Sequence, residues 1–88
     1  MDPRLKKLFY RASHRGIKEM DLILTAFARR ELAGLGAAEL DQFEALLEVP
    51  DQDLYFWITG GAPVPAAHAT PLMERVRALQ AVAGETGA

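Results

Sequence analysis

Arg15-Gly16-Ile17-Lys18-Glu19-Met20-Asp21 interrupts two runs of helical periodicity and gathers both charge signs around a glycine. Glycine at the end of a helical pattern is the usual means of turning a chain, because it enters the left-handed conformation without steric cost. The expectation at Gly16 is therefore a positive φ that closes one helix and leads into the next. Two readings of the corner follow. In the first it is a docking surface, where Gly16 lets a partner's backbone approach while Arg15 offers a fork of donors and Glu19 a carboxylate. In the second it is a capped corner with a local pair between Arg15 and Glu19, and the seven residues alone favour this one.

Upstream, Asp2 is placed to cap a helix with Pro3 in its first turn, and Leu5, Leu8, Phe9 and Ala12 recur at the spacing of one buried face. That helix should stop near His14, which suits the negative helix end better than metal ligation or base catalysis. Downstream, a helix from Ile17 to Leu32 turns Ile17, Met20, Ile23, Leu24 and Phe27 inward, with Glu19 and Asp21 at its positive end and Arg29 and Arg30 at its negative end. Gly34 and Gly36 bracket a turn into a third helix striped by Leu40, Phe43, Leu46 and Leu47, whose Glu39, Asp41, Glu44 and Glu48 fall on a face expected to be solvated.

Val49-Pro50-Asp51 separates that helix from a short fourth, in which Leu54, Trp57 and Ile58 share a face and Gly60-Gly61 stop the chain. Tyr55, Phe56 and Trp57 cannot all point inward from it. Tyr55 or Phe56 should stay at least half exposed, either anchoring an interface or covering a neighbouring helix. A loop rich in proline, glycine and alanine follows, with His68 in it lacking an evident partner. Thr70-Pro71 opens a fifth helix with Leu72, Val76, Leu79 and Ala83 on its inner face, and Gly84 to Ala88 should fray. No stretch alternates long enough to argue for a strand. The expectation is an all-α fold, a compact bundle of about five short helices forming a single domain over residues 1–83, with a frayed tail over 84–88.

Composition narrows the function. A chain of 88 residues hides only roughly 60% of the surface its unfolded form exposes, leaving little room for a buried catalytic cavity. There is no cysteine, so neither a disulfide framework nor a thiolate zinc site is available, and His14 and His68 lie far apart in sequence. The lone Ser13 lacks a histidine-and-carboxylate setting, and no glycine-rich phosphate loop is present. The paired carboxylates of the third helix lack a cleft that would raise a pKa. These features argue against an enzyme. The first residues lack the apolar core of a signal peptide and no stretch is long enough to span a bilayer, so the expectation is a cytoplasmic protein without direct membrane insertion.

The net charge is only −2, but Arg4, Lys6, Lys7, Arg11, Arg15 and Lys18 crowd the first helix and corner, while every charged residue from Glu31 through Glu74 is acidic. A dipolar molecule is expected. Its acidic patch would oppose a polyanion, which favours a protein partner over nucleic acid.

Arg15-Gly16-Ile17-Lys18-Glu19 fits the RGxxE motif of the SdhE-type assembly factors of succinate dehydrogenase, and it is followed, as in that family, by Met20-Asp21 and a helix ending Phe-Ala-Arg-Arg. Asp51-Gln52-Asp53-Leu54-Tyr55-Phe56-Trp57-Ile58 is similar to the family's second, acidic DxDLxxW motif. The resemblance covers Arg4 to Ile58, and the loop and last helix fit more loosely. It implies a small helical protein, monomeric when free, that binds the flavoprotein subunit of succinate dehydrogenase or fumarate reductase. The factor would promote covalent attachment of FAD by holding the client in a productive conformation. FAD would belong to the client and not to this chain. The resemblance assigns the contact to Arg15, Gly16 and Glu19, with Asp21, Tyr55 and Phe56 as further contributors. A nucleic-acid-binding helical domain using the basic residues, and an antitoxin-type regulatory partner, remain the alternatives.

Overall fold

Asp2 caps the first helix as its position suggested: its Oδ1 accepts the Arg4 amide at 2.7 Å, and Pro3 occupies the first turn where a missing N–H costs nothing. The structure is a computed structural model that describes the backbone of residues 2–87 and the side chains of residues 2–80. The expectations for Ala83 and for a frayed end at 84–88 lie outside the residues whose side chains it describes. Among the described residues there are five α-helices, α1 (Pro3–Ala12), α2 (Lys18–Glu31), α3 (Ala37–Leu47), α4 (Asp51–Thr59) and α5 (Pro71–Gly87), with 3-10 turns at Leu32–Gly34 and Ala66–His68 and no strand. The all-α bundle read from periodicity is the observed fold.

α2 is the central rod, packing against α1, α4 and α5, while α3 leans on α1 and α5. Its inner stripe of Met20, Leu24 and Phe27 is buried, and Phe27 meets Phe43 of α3 with ring centroids 5.6 Å apart. Full burial of such an aromatic contributes on the order of 2–3 kcal/mol. α1 adds Leu8 and Ala12 to the core, α4 adds Leu54 and Ile58, and α5 adds Leu72, Met73 and Val76. Ile17, expected inside, precedes the first turn of α2 as its N-cap and is 37% exposed.

Helix ends follow local chemistry. Glu39 reaches back to accept the Gly36 amide at the start of α3, and Thr70 Oγ1 accepts the Met73 amide at the start of α5. Gly60 ends α4 in the left-handed conformation at φ 87°, with the Gly61 amide donating back to the Phe56 carbonyl at 2.8 Å. Gly60 is the only described residue with a positive φ, which corrects the expectation for Gly16. α1 stops at Ala12, where Ser13 caps it and its hydroxyl donates to the Phe9 carbonyl.

The segregated charges meet across the bundle. Arg4 pairs with Asp41 and Glu44, and Arg11 pairs with Glu48, joining basic α1 to acidic α3. Arg75 of α5 pairs with Glu31 and Glu39. The outer carboxylates of α3 are thus interhelix partners and not a purely solvated face, and the dipole expected from sequence is partly cancelled. His68, expected without a partner, stacks on Trp57 with centroids 5.4 Å apart.

Candidate functional site

The corner between α1 and α2 is held from inside the molecule. Arg15 lies in the five residues between the helices, and its side chain, only 10% exposed, crosses to the junction of α3 and α4. Its Nε donates to Asp51 Oδ1 at 2.6 Å, and its two terminal nitrogens donate to the carbonyls of Leu47 and Val49 at 2.7 and 2.9 Å. Those carbonyls belong to the end of α3, where helical partners run out. One guanidinium therefore closes one helix end while pairing with the first residue of the next helix.

Asp51 completes the clamp. Its second oxygen accepts the Gly16 amide at 2.6 Å, and as the first residue of α4 it also sits at the positive end of that helix. A Cβ built on Gly16 would lie 2.9 Å from Asp51 Oδ2, closer than a side-chain carbon approaches oxygen without displacement. Glycine is required here by the close approach of a carboxylate from the same chain, not by backbone handedness. Asp21, in the first turn of α2, accepts the Arg15 amide at 2.7 Å, so the corner is tied at both of its sides.

Arg15 was expected to donate toward a partner or toward Glu19. In the structure its Nε and both terminal nitrogens already donate to Asp51, Leu47 and Val49. Glu19 stands apart from this network. It is exposed, it lies in the positive first turn of α2, and among the described residues it makes no hydrogen bond or ion pair. Three residues before it, Gly16 is also exposed. Asp21 is half-buried and engaged, Tyr55 is half-buried against the core, and Phe56 is the aromatic of α4 that points out, 42% exposed. Arg15, Gly16 and Asp21 thus converge with Asp51, while Tyr55 and Phe56 lie on α4 beyond it. Asp51 is the residue that reasoning from the corner alone missed, although it opens the acidic segment already singled out.

The Gly36 amide, then Arg75, hold the Glu39 carboxyl below its ordinary pKa, and Asp41 with Glu44 raise that of the Arg4 guanidinium. Among the described residues there is no group of three or more side chains that could hold a metal, and no helix is long and apolar enough to cross a membrane.

The fold and the corner together define a small all-α protein whose interhelix corner is locked from within and carries, at Glu19, an exposed carboxylate with no partner among the described residues. The chain belongs to the family described as flavinator of succinate dehydrogenase, whose model matches residues 6–80 and so runs past Ile58 through the loop into α5. It is similar to succinate dehydrogenase assembly factor 2, mitochondrial, of Mycosarcoma maydis, 43% identical over 65 residues, which are 74% of this chain and 27% of that one. The same-named protein of Debaryomyces hansenii is 40% identical over 75 residues, 85% of this chain and 49% of its own length. The FAD assembly factor SdhE of Acetobacter pasteurianus is 37% identical over 73 residues, 83% of this chain and 67% of its own. The chain therefore spans between about a quarter and a half of these fungal relatives and two thirds of the bacterial one.

Proposed function

We propose that this protein is a cytoplasmic assembly factor that binds the flavoprotein subunit of succinate dehydrogenase or fumarate reductase and promotes covalent attachment of FAD. Its relatives' names as succinate dehydrogenase and FAD assembly factors support the class, and the geometry of the corner supports the mode of contact. The observation that carries it is Glu19, exposed and without an intramolecular partner among the described residues, next to a backbone whose path is fixed by the clamp of Arg15 and Asp51. Rigidity matters because a preorganised surface loses little ordering entropy on binding. Glu19 accepts from donors of the client, the peptide at Gly16 lies against it, and Arg15 and Asp21 serve by holding the corner in shape. The client supplies FAD and the residue that bonds to it. The factor raises the population of a client conformer competent for attachment and does no chemistry itself.

Of the basic residues on α1 and the corner, Arg4, Arg11 and Arg15 are already paired with carboxylates, which weakens the case for nucleic acid. The test is capture of the purified apo flavoprotein subunit on immobilised protein. Wild type retains it, Glu19→Gln loses at least about tenfold in affinity, and equal retention by the two proteins would refute the assignment.

A further inference from the structure

The hairpin of α1 and α2 is open along one side. Leu5 and Phe9 of α1 and its cap Ser13 are four residues apart and form one stripe. On α2 the facing stripe begins with Asp21 and Leu22 and continues through Thr25 and Arg29. Two grooves lie along the seam between them. One, of about 410 Å³, starts at the corner with Ser13 and Asp21 and runs along Leu22, Ala26 and Arg29. The other, of about 210 Å³, is floored by Leu5, Phe9, Ala28 and Leu32 and rimmed by Arg29 and Ala33. Arg29 lines both grooves, so the trough they outline is polar at the corner, cationic in the middle and apolar at the far end.

Three features of the trough point to a polypeptide. Leu22 is 62% exposed beside the first groove, a large apolar side chain left in water within one turn of Glu19. Arg29 and the adjacent Arg30 are exposed and make no ion pair among the described residues, whereas Arg4, Arg11, Arg15, Arg75 and Arg77 all do. The apolar end has the volume of one large side chain and a floor of buried and half-buried carbon, the arrangement of an interface anchor pocket.

We infer that this trough seats a segment of the flavoprotein client that carries an acidic side chain followed by a large apolar one, the carboxylate meeting Arg29 and the apolar group entering the pocket of Leu5, Phe9 and Leu32. The inference rests on the reading of the corner as the client's docking point and extends it along α2. Arg29 lies ten residues beyond Glu19, about 15 Å along the helix. An extended segment covers that distance in about five residues. The trough thereby sets direction as well as affinity: donors of the client lie at Glu19 and its carboxylate lies at Arg29, and the reversed segment would place like charges together.

The experiment measures affinity of the full chain for the purified apo flavoprotein subunit, with Arg29→Glu, Ala33→Glu and Glu19→Gln beside wild type. Arg29 and Ala33 are exposed, and retained thermal unfolding verifies that each variant is folded. The expected result is a loss of about tenfold or more for both Arg29→Glu and Ala33→Glu, with the wild-type affinity falling as salt rises. If either of those two variants stays within about twofold of wild type while Glu19→Gln loses binding, the trough is not the seat and the corner reading stands. If all three bind normally, both readings fall. Saturable binding of FAD alone that Arg29→Glu and Ala33→Glu abolish, or a self-association that they abolish, also overturns the inference, because the occupant is then the cofactor or a second copy.

Discussion

Replacing Arg15 with lysine separates a clamp from a contact. Lysine keeps the positive charge but brings one nitrogen where the guanidinium donates through three, to Asp51, Leu47 and Val49. An ammonium placed against Asp51 leaves the two carbonyls at the end of α3 without their donors. Hydrogen bonds involving a charged group contribute about 1.5–3 kcal/mol each, and the pair is largely screened from solvent, with side chains 10% and 14% exposed. The expected cost is therefore about 3 kcal/mol or more, a large fraction of the roughly 5–15 kcal/mol that holds a domain together. For a domain of this size that lowers Tm by roughly 12–24 °C. Thermal and urea unfolding followed by circular dichroism at 222 nm read it directly. A Tm within about 3 °C of wild type, accompanied by lost client binding, would show that the donors of Arg15 serve the client and that the clamp contributes little.

Gly16→Ala should cost about 1–2 kcal/mol by overpacking against Asp51 Oδ2. In an Asp51→Ser background that cost should shrink to a few tenths, because the shorter side chain withdraws the obstructing oxygen; a double-mutant cycle in urea detects the coupling, and additive effects would contradict it. Glu39 has a folded-state pKa below its unfolded value, set first by the Gly36 amide and then by Arg75. Its stabilisation is therefore present above the unfolded pKa and lost as pH falls through the folded one. Stability curves of wild type and Glu39→Gln should differ near neutrality and converge in acid, and parallel curves would refute the assignment. Gly60→Ala should cost about 1 kcal/mol because its φ of 87° disfavours a side chain, measurable as a lowered urea midpoint with an unchanged slope.

Local signals carried much of the architecture. The inner stripes of α2 and α3, the Asp2 and Thr70 caps and the Gly60 stop all depend on residues within one or two turns of each other, so spacing and side-chain chemistry suffice to place them. What could not be read depends on partners distant in the chain. Arg15 and Asp51 are 36 residues apart, and a corner glycine that avoids a carboxylate looks the same in sequence as one that adopts a positive φ. The basic α1 and acidic α3 read as two ends of a dipole until packing sets them side by side. His68 looked solitary because Trp57 reaches it only after the chain reverses at Gly60. Glu19 was legible as a residue of the corner, but its having no partner among the described residues depends on where Arg15 goes.

The most direct measurement is covalent flavin formed on the purified apo flavoprotein subunit with free FAD, read as in-gel fluorescence over time, with wild-type factor, Glu19→Gln or no factor added. Glu19→Gln should unfold at the wild-type temperature yet leave flavin attachment at the rate seen without factor. Attachment restored to the wild-type rate by the folded Glu19→Gln protein would contradict the claim that this exposed carboxylate is the point of engagement.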